Sequence, residues 1–255
     1  MNGSHLKEGM ENSVYDLALY EDQLFVPDYR NNKLLVLKLP EGGVLSKYDV
    51  PMPHGVAVDI NGKIYISTYK QNSICIIEDD ISIYKHNIHF NHPVSISIKD
   101  DCTIIANYGG DNSGNVIISD DDFKSFDQFT DEWLDSKPHA VRVNTQNEVL
   151  VAYRNAPGLV MYDFNGKIKR QKKLSNNFDP LSIHEYQSYY LVPNSIDRRI
   201  YIFDNFLNYI SDFDGGEYLP TNLLIWKDSI IVSEEEANRI SIFKLDNLYN
   251  TLKKN

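Results

Sequence analysis

The sequence predicts an all-β protein folded as a six-bladed β-propeller of four-stranded antiparallel blades. Three observations predict this fold. A unit of about forty residues repeats six times, each unit contains period-two apolar strands separated by short polar turns, and amphipathic helical periodicity is nearly absent. Because a lone four-stranded sheet cannot bury both of its faces, blades that stack into a closed ring are the stable arrangement.

A proline marks the start of most units. The starts lie near residues 14, 53, 93, 138, 180 and 220, where five of the six positions hold an anchor proline: Pro53, Pro93, Pro138, Pro180 and Pro220. Val14 stands in that place in the first unit. We therefore expect one propeller domain over residues 1–255, and the number of anchors disfavours a seven-bladed ring.

The last unit reaches Asn255 before a fourth strand of its own is complete. We expect the N-terminal segment before Val14 to supply the outer strand of the last blade and so to close the ring, because an unpaired blade edge is unfavourable. The best candidate for a helix covers residues 121–136, in the longest unit.

Composition excludes several classes of partner. The formal net charge is −11, and the longest basic cluster is Lys167–Lys173, so the sequence argues against a nucleic-acid partner. No apolar run approaches the ~20 residues of a membrane span, so no membrane partner is expected. The N-terminus shows no apolar leader, which makes the cytoplasm the default location, although a trimmed leader would leave the same sequence.

The repeat also predicts where a ligand site lies. In a propeller, the innermost strand of each blade begins at one rim of the central channel, and the connection between the second and third strands returns to that rim. Two sets of residues should therefore converge. The residues after the anchors are Tyr15, His54, Val94, His139, Leu181 and Thr221. The second-strand connections contribute Asp28, Thr68, Asn107, Tyr153, Asn194 and Glu234.

Tyrosines recur beside cations in these connections, as Tyr29-Arg30, Tyr69-Lys70 and Tyr153-Arg154, and Tyr108 holds the same position. An aromatic face beside a cation suits a sugar ring or a carboxylate-bearing compound. The sequence thus predicts a small-molecule ligand. The predicted binding residues are Tyr15, Asp28, Tyr29, Arg30, His54, Tyr69, Lys70, Asn107, Tyr108, His139, Tyr153, Arg154, Asn194 and Glu234.

The histidines suggest a metal site as an alternative to the tyrosine–cation ligand site. His54 and His139 begin innermost strands, and His92 precedes the anchor of the blade between them. Three converging imidazoles could hold a divalent metal. The other interpretation is that these imidazoles bond backbone groups at the rim.

The third-strand entries DYRNNKL (Asp28–Leu34), NSIDRRI (Asn194–Ile200) and EEEANRI (Glu234–Ile240) resemble NHL repeats. The Pro-His pairs at the strand starts resemble virginiamycin B lyase-like propellers, and the histidine set resembles the zinc-bound peptidyl-amidoglycolate lyases. The resemblance implies a metal-assisted lyase or lactonase, with His139, Tyr153 and Arg154 as the candidate catalytic residues that transfer protons. The six-bladed pattern is also similar to gluconolactonases, which hold calcium. These resemblances imply the fold. They leave three functions open: ligand binding, a lyase or lactonase, and a protein-interaction scaffold.

Overall fold

The computed structural model describes residues 4–6, 14–87, 89–110, 114–120, 123–129, 137–154, 157–235, 237–246 and 248. In this part of the chain, six four-stranded antiparallel sheets form a propeller ring. This arrangement confirms the all-β, six-bladed fold. No helix among the described residues is long and apolar enough to cross a membrane.

The strands follow one another around the ring. A short strand, β1 (Ser4–Leu6), precedes the first blade, which contains β2 (Ala18–Tyr20), β3 (Gln23–Asp28), β4 (Lys33–Lys38) and β5 (Val44–Asp49). The second blade contains β6 (Pro53–Val58), β7 (Ile64–Thr68), β8 (Ser73–Glu78) and β9 (Ile81–His86). The third contains β10 (Pro93–Lys99), β11 (Cys102–Asn107), β12 (Asn115–Asp120) and β13 (Phe126–Phe129).

The remaining blades repeat this order. The fourth blade contains β14 (Pro138–Val143), β15 (Val149–Tyr153), β16 (Gly158–Tyr162) and β17 (Ile168–Lys173). The fifth contains β18 (His184–Tyr186), β19 (Tyr189–Asn194), β20 (Arg199–Asp204) and β21 (Tyr209–Asp214). The sixth contains β22 (Pro220–Trp226), β23 (Ser229–Glu234) and β24 (Arg239–Lys244).

The two ends of the chain close the ring, as predicted. Strand β1 pairs antiparallel with β24, with Ser4 opposite Ile242, and becomes the outer strand of the sixth sheet. A second link joins the same blades near the channel, where Thr221 Oγ1 donates a hydrogen bond of 2.6 Å to the Val14 carbonyl. Closure therefore involves both the outer and the inner edge of the sixth blade.

The hydrophobic core lies between the blades. Strand side chains alternate between the two faces of a sheet, and both faces of a central strand meet a neighbouring blade, so these strands are apolar along their length. In one cluster, Val26 and Leu35 of the first blade pack with Ile231 and Ile240 of the sixth. Such packing of consecutive blades holds the inner strands at fixed positions around the channel.

The predicted helix over residues 121–136 is wrong in its described part, where Phe126–Phe129 is the strand β13. Phe126 lies 6.0 Å from Phe90 within one core cluster, whereas Phe129 lies 4.6 Å from Tyr162 in another. The two phenylalanines therefore anchor opposite faces of an outer strand, which a helix could not do. Residues 130–136 lie outside the described part of the chain.

Candidate functional site

A local irregularity accompanies the residues that follow three of the anchor prolines and line the channel, His54, Val94 and His139, whereas Thr221 lines neither channel cavity. In four blades the strand register shifts directly after the anchor, at Pro53, Pro93, Pro138 and Pro220. Proline has no N–H, so it fits the first position of an edge strand without losing a ladder bond. A bulge leaves the next residue out of the ladder and redirects its side chain. In the second, third and fourth blades the Pro-X pattern thus presents X at the channel.

Aromatic residues, two histidines and one arginine enclose a cavity of about 230 Å³ at this end of the channel. We call it the mouth pocket, and its lining residues are Tyr15, Tyr29, His54, Tyr69, Val94, Tyr108, His139 and Arg154. All of them belong to the first four blades. Seven are among the predicted binding residues, and Val94 occupies one of the predicted post-anchor positions.

The rings of the mouth pocket support one another. Tyr15 stacks on His54 with ring centroids 4.6 Å apart and an interplanar angle of 5°. Tyr29 meets Tyr15 edge-on at 5.9 Å, and Tyr108 meets His139 edge-on at 6.1 Å. Stacked and edge-to-face contacts are the favoured geometries for aromatic pairs. The pocket walls are therefore preformed without a ligand.

Both pocket histidines have a fixed tautomer. Nδ1 of His54 lies 2.8 Å from the Val94 carbonyl, and Nδ1 of His139 lies 3.1 Å from the Leu181 carbonyl. Because a carbonyl oxygen only accepts hydrogen bonds, Nδ1 carries the proton in each ring. Nε2 is then left with a lone pair. Each imidazole thus bonds a backbone group of the next blade, and each keeps one acceptor nitrogen.

Both imidazoles are neutral at neutral pH. Burial lowers the pKa of His54 to about 3, and the neighbouring His139 lowers it further in the same direction. Burial also lowers the pKa of His139 to about 4, with the positive charge of Arg154 as a second cause. The pocket therefore offers two uncharged acceptors beside one cation.

Gly55 allows the close contact that fixes His54. A Cβ atom at this position would lie 2.7 Å from the Val94 carbonyl oxygen and 2.9 Å from Cα of Ser95. Both distances are shorter than real Cβ contacts, and the obstructing atoms are backbone. Glycine thus lets the inner strands of the second and third blades approach, as glycine does wherever two backbones meet closely.

Arg154 is oriented from the fifth blade. Its Nε and Nη2 atoms donate hydrogen bonds of 2.6 and 2.9 Å to the carboxylate of Asp179. The backbone N–H of Asp179 donates in turn to Asn194 Oδ1 at 2.8 Å, and Ser195 Oγ donates to Asp179 Oδ2 at 2.9 Å. Among the described residues Nη1 of Arg154 has no partner. The guanidinium is held in place and still has N–H groups for a ligand.

Four predicted binding residues lie elsewhere. They end the second strand of their blades and are buried: Asp28, Asn107, Asn194 and Glu234. Asp28 accepts from the Asn31 side chain at 2.8 Å, and Glu234 accepts from Arg239 Nε at 2.6 Å. These polar groups stabilise the turns that follow each strand and do not line the mouth pocket.

Each predicted tyrosine–cation pair has only one member in the mouth pocket. Tyr153 is 2% exposed and belongs to the core, where its hydroxyl lies 2.8 Å from that of Tyr162. Arg30 and Lys70 are exposed and do not line the pocket, whereas Tyr29 and Tyr69 do. The member that lines the pocket is in each case the residue directly after the end of the second strand, namely Tyr29, Tyr69 and Arg154.

The structure does not bring the three predicted metal ligands together. His54 and His139 lie 5.7 Å apart between ring centroids, but His92 does not line the mouth pocket and instead contacts Tyr69, with ring centroids 4.7 Å apart. Nδ1 of His92 lies 2.9 Å from Asn91 Oδ1. Within the described ranges no group of three or more His, Cys, Asp or Glu side chains could hold a metal ion.

Sequence reasoning missed the residues that precede the anchors. Asp179 precedes Pro180 and orients Arg154, and Lys137 precedes Pro138 and places its ammonium group 4.6 Å from the centroid of the Tyr108 ring. The backbone shows a shared signal, because the N–H of Arg154 donates to the Lys137 carbonyl and the N–H of Ser195 to that of Asp179. The residues directly before the anchor prolines therefore form a third set of equivalent rim positions.

No family model matches the chain, and no curated protein matches its sequence. Solved structures do match. A catalytically inactive virginiamycin B lyase from Staphylococcus aureus with quinupristin has a TM-score of 0.74 and 14% identity, over 93% of this chain and 82% of that one. A gluconolactonase from Xanthomonas campestris has a TM-score of 0.79 and 10% identity, over 95% and 89%.

Hydrazine synthase from Kuenenia stuttgartiensis is similar to the same degree, with a TM-score of 0.70 and 10% identity, over 96% of this chain and 98% of that one. At these identities the likeness shows the fold alone. Three proteins with such different names share it, so the arrangement of side chains must carry the functional argument.

Proposed function

We propose that this propeller binds a small sugar-like or carboxylate-bearing ligand in the mouth pocket. The observation that carries the proposal is the composition of that single cavity. Preformed aromatic walls surround two neutral imidazoles with bare Nε2 atoms and one guanidinium held by Asp179. Small-ligand sites are concave, largely apolar and furnished with a few placed polar groups.

Each group has a role toward such a ligand. The tyrosine rings provide stacking surface for the face of a sugar or another ring. Nε2 of His54 and of His139 accepts hydrogen bonds from ligand hydroxyl groups. The free N–H groups of Arg154 donate to a ligand carboxylate. No Asp or Glu of the described chain lines the pocket, so a cationic ligand finds no partner there.

Calorimetric titration of glucuronate and of methyl glucoside tests the proposal, since the two ligands share a ring and differ in the carboxylate. Arg154→Met should weaken glucuronate binding by about tenfold, equivalent to about 1.4 kcal/mol, and leave methyl glucoside binding unchanged. Arg30→Met is the matched control, because Arg30 is exposed and outside the pocket.

Two outcomes of this titration would contradict the proposal. If neither compound binds the wild-type protein, the proposed ligand class is wrong. Equal losses of glucuronate affinity in the Arg30 and Arg154 variants would show that general charge, rather than the pocket, attracts the carboxylate.

A lyase or lactonase is the second candidate, and the bare Nε2 atoms favour it because an imidazole lone pair can take a proton from a substrate. Two of the structural neighbours are named as a lyase and a gluconolactonase. Binding ranks first because a pKa of about 4 makes His139 a weak base. Mass spectrometry after incubation with quinupristin or gluconolactone tests catalysis, and turnover must disappear in His139→Phe.

A protein-interaction scaffold is the third candidate. A protein partner should cover a wide part of the rim, whereas a small ligand should cover only the mouth pocket. Hydrogen exchange with and without the bound compound distinguishes the two footprints.

A further inference from the structure

The central channel continues beyond the mouth pocket as a second cavity of about 420 Å³. The innermost strands of all six blades form its walls, and it shares Tyr15, His54, Val94 and His139 with the mouth pocket. We call the part beyond these four residues the lower channel. Charged side chains line it, namely Asp16, Lys99, Arg142 and Glu185.

Some polar side chains of the lower channel satisfy the backbone. Each innermost strand is a sheet edge, so its outward N–H groups need acceptors. Oδ2 of Asp16 accepts from the Val56 N–H at 2.9 Å, and Ser97 Oγ accepts from the Val143 N–H at 3.1 Å. In each case a side chain of one blade bonds the backbone of the next. These groups have structural partners and are not candidates for a ligand.

Arg142 has no such partner. Within the part of the chain that the structure describes, its guanidinium makes no hydrogen bond and no ion pair, although it is half-buried in the channel wall. Glu185 is already bonded, since it accepts from the backbone N–H and hydroxyl of Thr145 at 3.0 and 2.8 Å. Burial lowers the pKa of Arg142, and the negative charges of Glu185 and Asp16 act in the opposite direction without offsetting it, so the guanidinium is only partly stabilised.

The neighbouring blade adds a second sign of an unmet contact. His184 and Ser182 line the same cavity, and Nδ1 of His184 and Oγ of Ser182 are buried with no hydrogen-bond partner among the described residues. His184 is 9% exposed, and burial together with the charge of Arg142 lowers its pKa to about 3. Its ring is therefore neutral and has one N–H to donate.

We propose that the lower channel binds a small oxyanion, either a carboxylate or a phosphate, at the Arg142 guanidinium with His184 and Ser182 beside it. The planar fork of an arginine matches two oxygens of such an anion, and this pairing supplies the hydrogen-bond acceptors that the described residues do not offer to the guanidinium. The site differs from the mouth pocket in its cation.

Thermal unfolding tests this site with acetate and phosphate as probes. The protein is measured in sodium HEPES, and again in sodium acetate or sodium phosphate of equal ionic strength. The Tm of the wild type and of the control Arg30→Met should rise with the concentration of the bound anion, whereas the Tm of Arg142→Met should not. The two salts distinguish a carboxylate from a phosphate ligand.

In HEPES alone, Arg142→Met should have a Tm equal to or above that of the wild type, because the substitution removes a charge whose burial outweighs the attraction of Glu185 and Asp16. No rise in the wild type with either anion would overturn the proposal, as would an equal rise in Arg142→Met.

Arg142→Lys provides a second measurement that does not depend on the folding of the methionine variant. It retains the charge but loses the planar fork, so its response to the anion should be weaker than that of the wild type. An undiminished response would overturn the paired contact. Arg154→Met, which alters only the mouth pocket, should keep the full response, so failure of this site and failure of the proposed function are distinguishable.

Discussion

Two sets of polar side chains lie at the same end of the blades, and only one of them reaches the channel. His54 and His139 follow the anchor prolines, leave the strand ladder at a bulge and line the mouth pocket. Asn194 and Glu234 end second strands, remain in the ladder and bond the turns beside them. His54 and His139 also bond neighbouring backbone carbonyls, but only through Nδ1, so a rim side chain is available to a ligand where it keeps a second polar atom facing the channel.

The largest effect should come from the strand-end set. Glu234 is fully buried and bonds Arg239 and Ser241, so Glu234→Ala leaves the largely buried guanidinium of Arg239 with only the exposed Glu217 as ionic partner and should cost about 3–5 kcal/mol of unfolding free energy. Urea unfolding measures this loss of unfolding free energy. The control is Glu78→Ala, which removes an exposed ion pair with Lys63 and should cost no more than about 1 kcal/mol. Similar costs for both would contradict the structural role of Glu234.

The pH dependence of stability tests the residues that follow the anchor prolines, here His139. The pKa of His139 is about 4 in the folded protein, against about 6.5 when unfolded. Between these values the unfolded chain takes up a proton that the folded state excludes, so stability is lost as pH falls from 7 to 4. For His139 the loss should be about 3 kcal/mol.

The pH effect is measured as the difference between wild type and His139→Phe at each pH. Asp16, whose pKa is raised to about 7 by burial, contributes stability that is lost as pH rises, but it does so in both proteins. The difference therefore isolates His139. A difference that stays constant from pH 7 to pH 4 would show that His139 is not held neutral.

A smaller effect is expected at Asn194. Its amide accepts from the Asp179 N–H and donates to the Asn177 carbonyl at 3.2 Å, so Asn194→Ala should cost about 1–3 kcal/mol. Asn165→Ala, at an exposed turn, should change stability by less than about 0.5 kcal/mol. Because Asp179 orients Arg154, the Asn194 variant should also bind glucuronate less tightly. Unchanged stability would place Asn194 with the mouth-pocket residues instead.

The smallest effect is expected at Tyr153. Tyr153→Phe removes one buried hydroxyl contact with Tyr162 and should cost about 1 kcal/mol without altering ligand affinity. Tyr108→Phe is the matched change inside the mouth pocket. Calorimetry of both variants decides the point, and a change of affinity in Tyr153→Phe would contradict its placement in the core.

The repeat predicted the ring, the closing strand and most of the mouth pocket, because a fixed spacing places equivalent residues at equivalent points of every blade. It did not predict which rim residues are already bonded. That depends on contacts between blades, such as Asp179 with Arg154 or Tyr69 with His54 and His92. Nor did it single out Arg142, whose importance lies in a missing partner that no spacing reveals.

The pairing of β1 with β24 has a consequence for synthesis on the ribosome. The strand that completes the sixth blade precedes the first blade, yet its partner residues Ile240–Ile242 emerge only after five blades have followed it. Until then the first blade exposes the apolar face that later packs on Ile231 and Ile240. The nascent chain therefore carries an uncovered hydrophobic surface while five blades are synthesised.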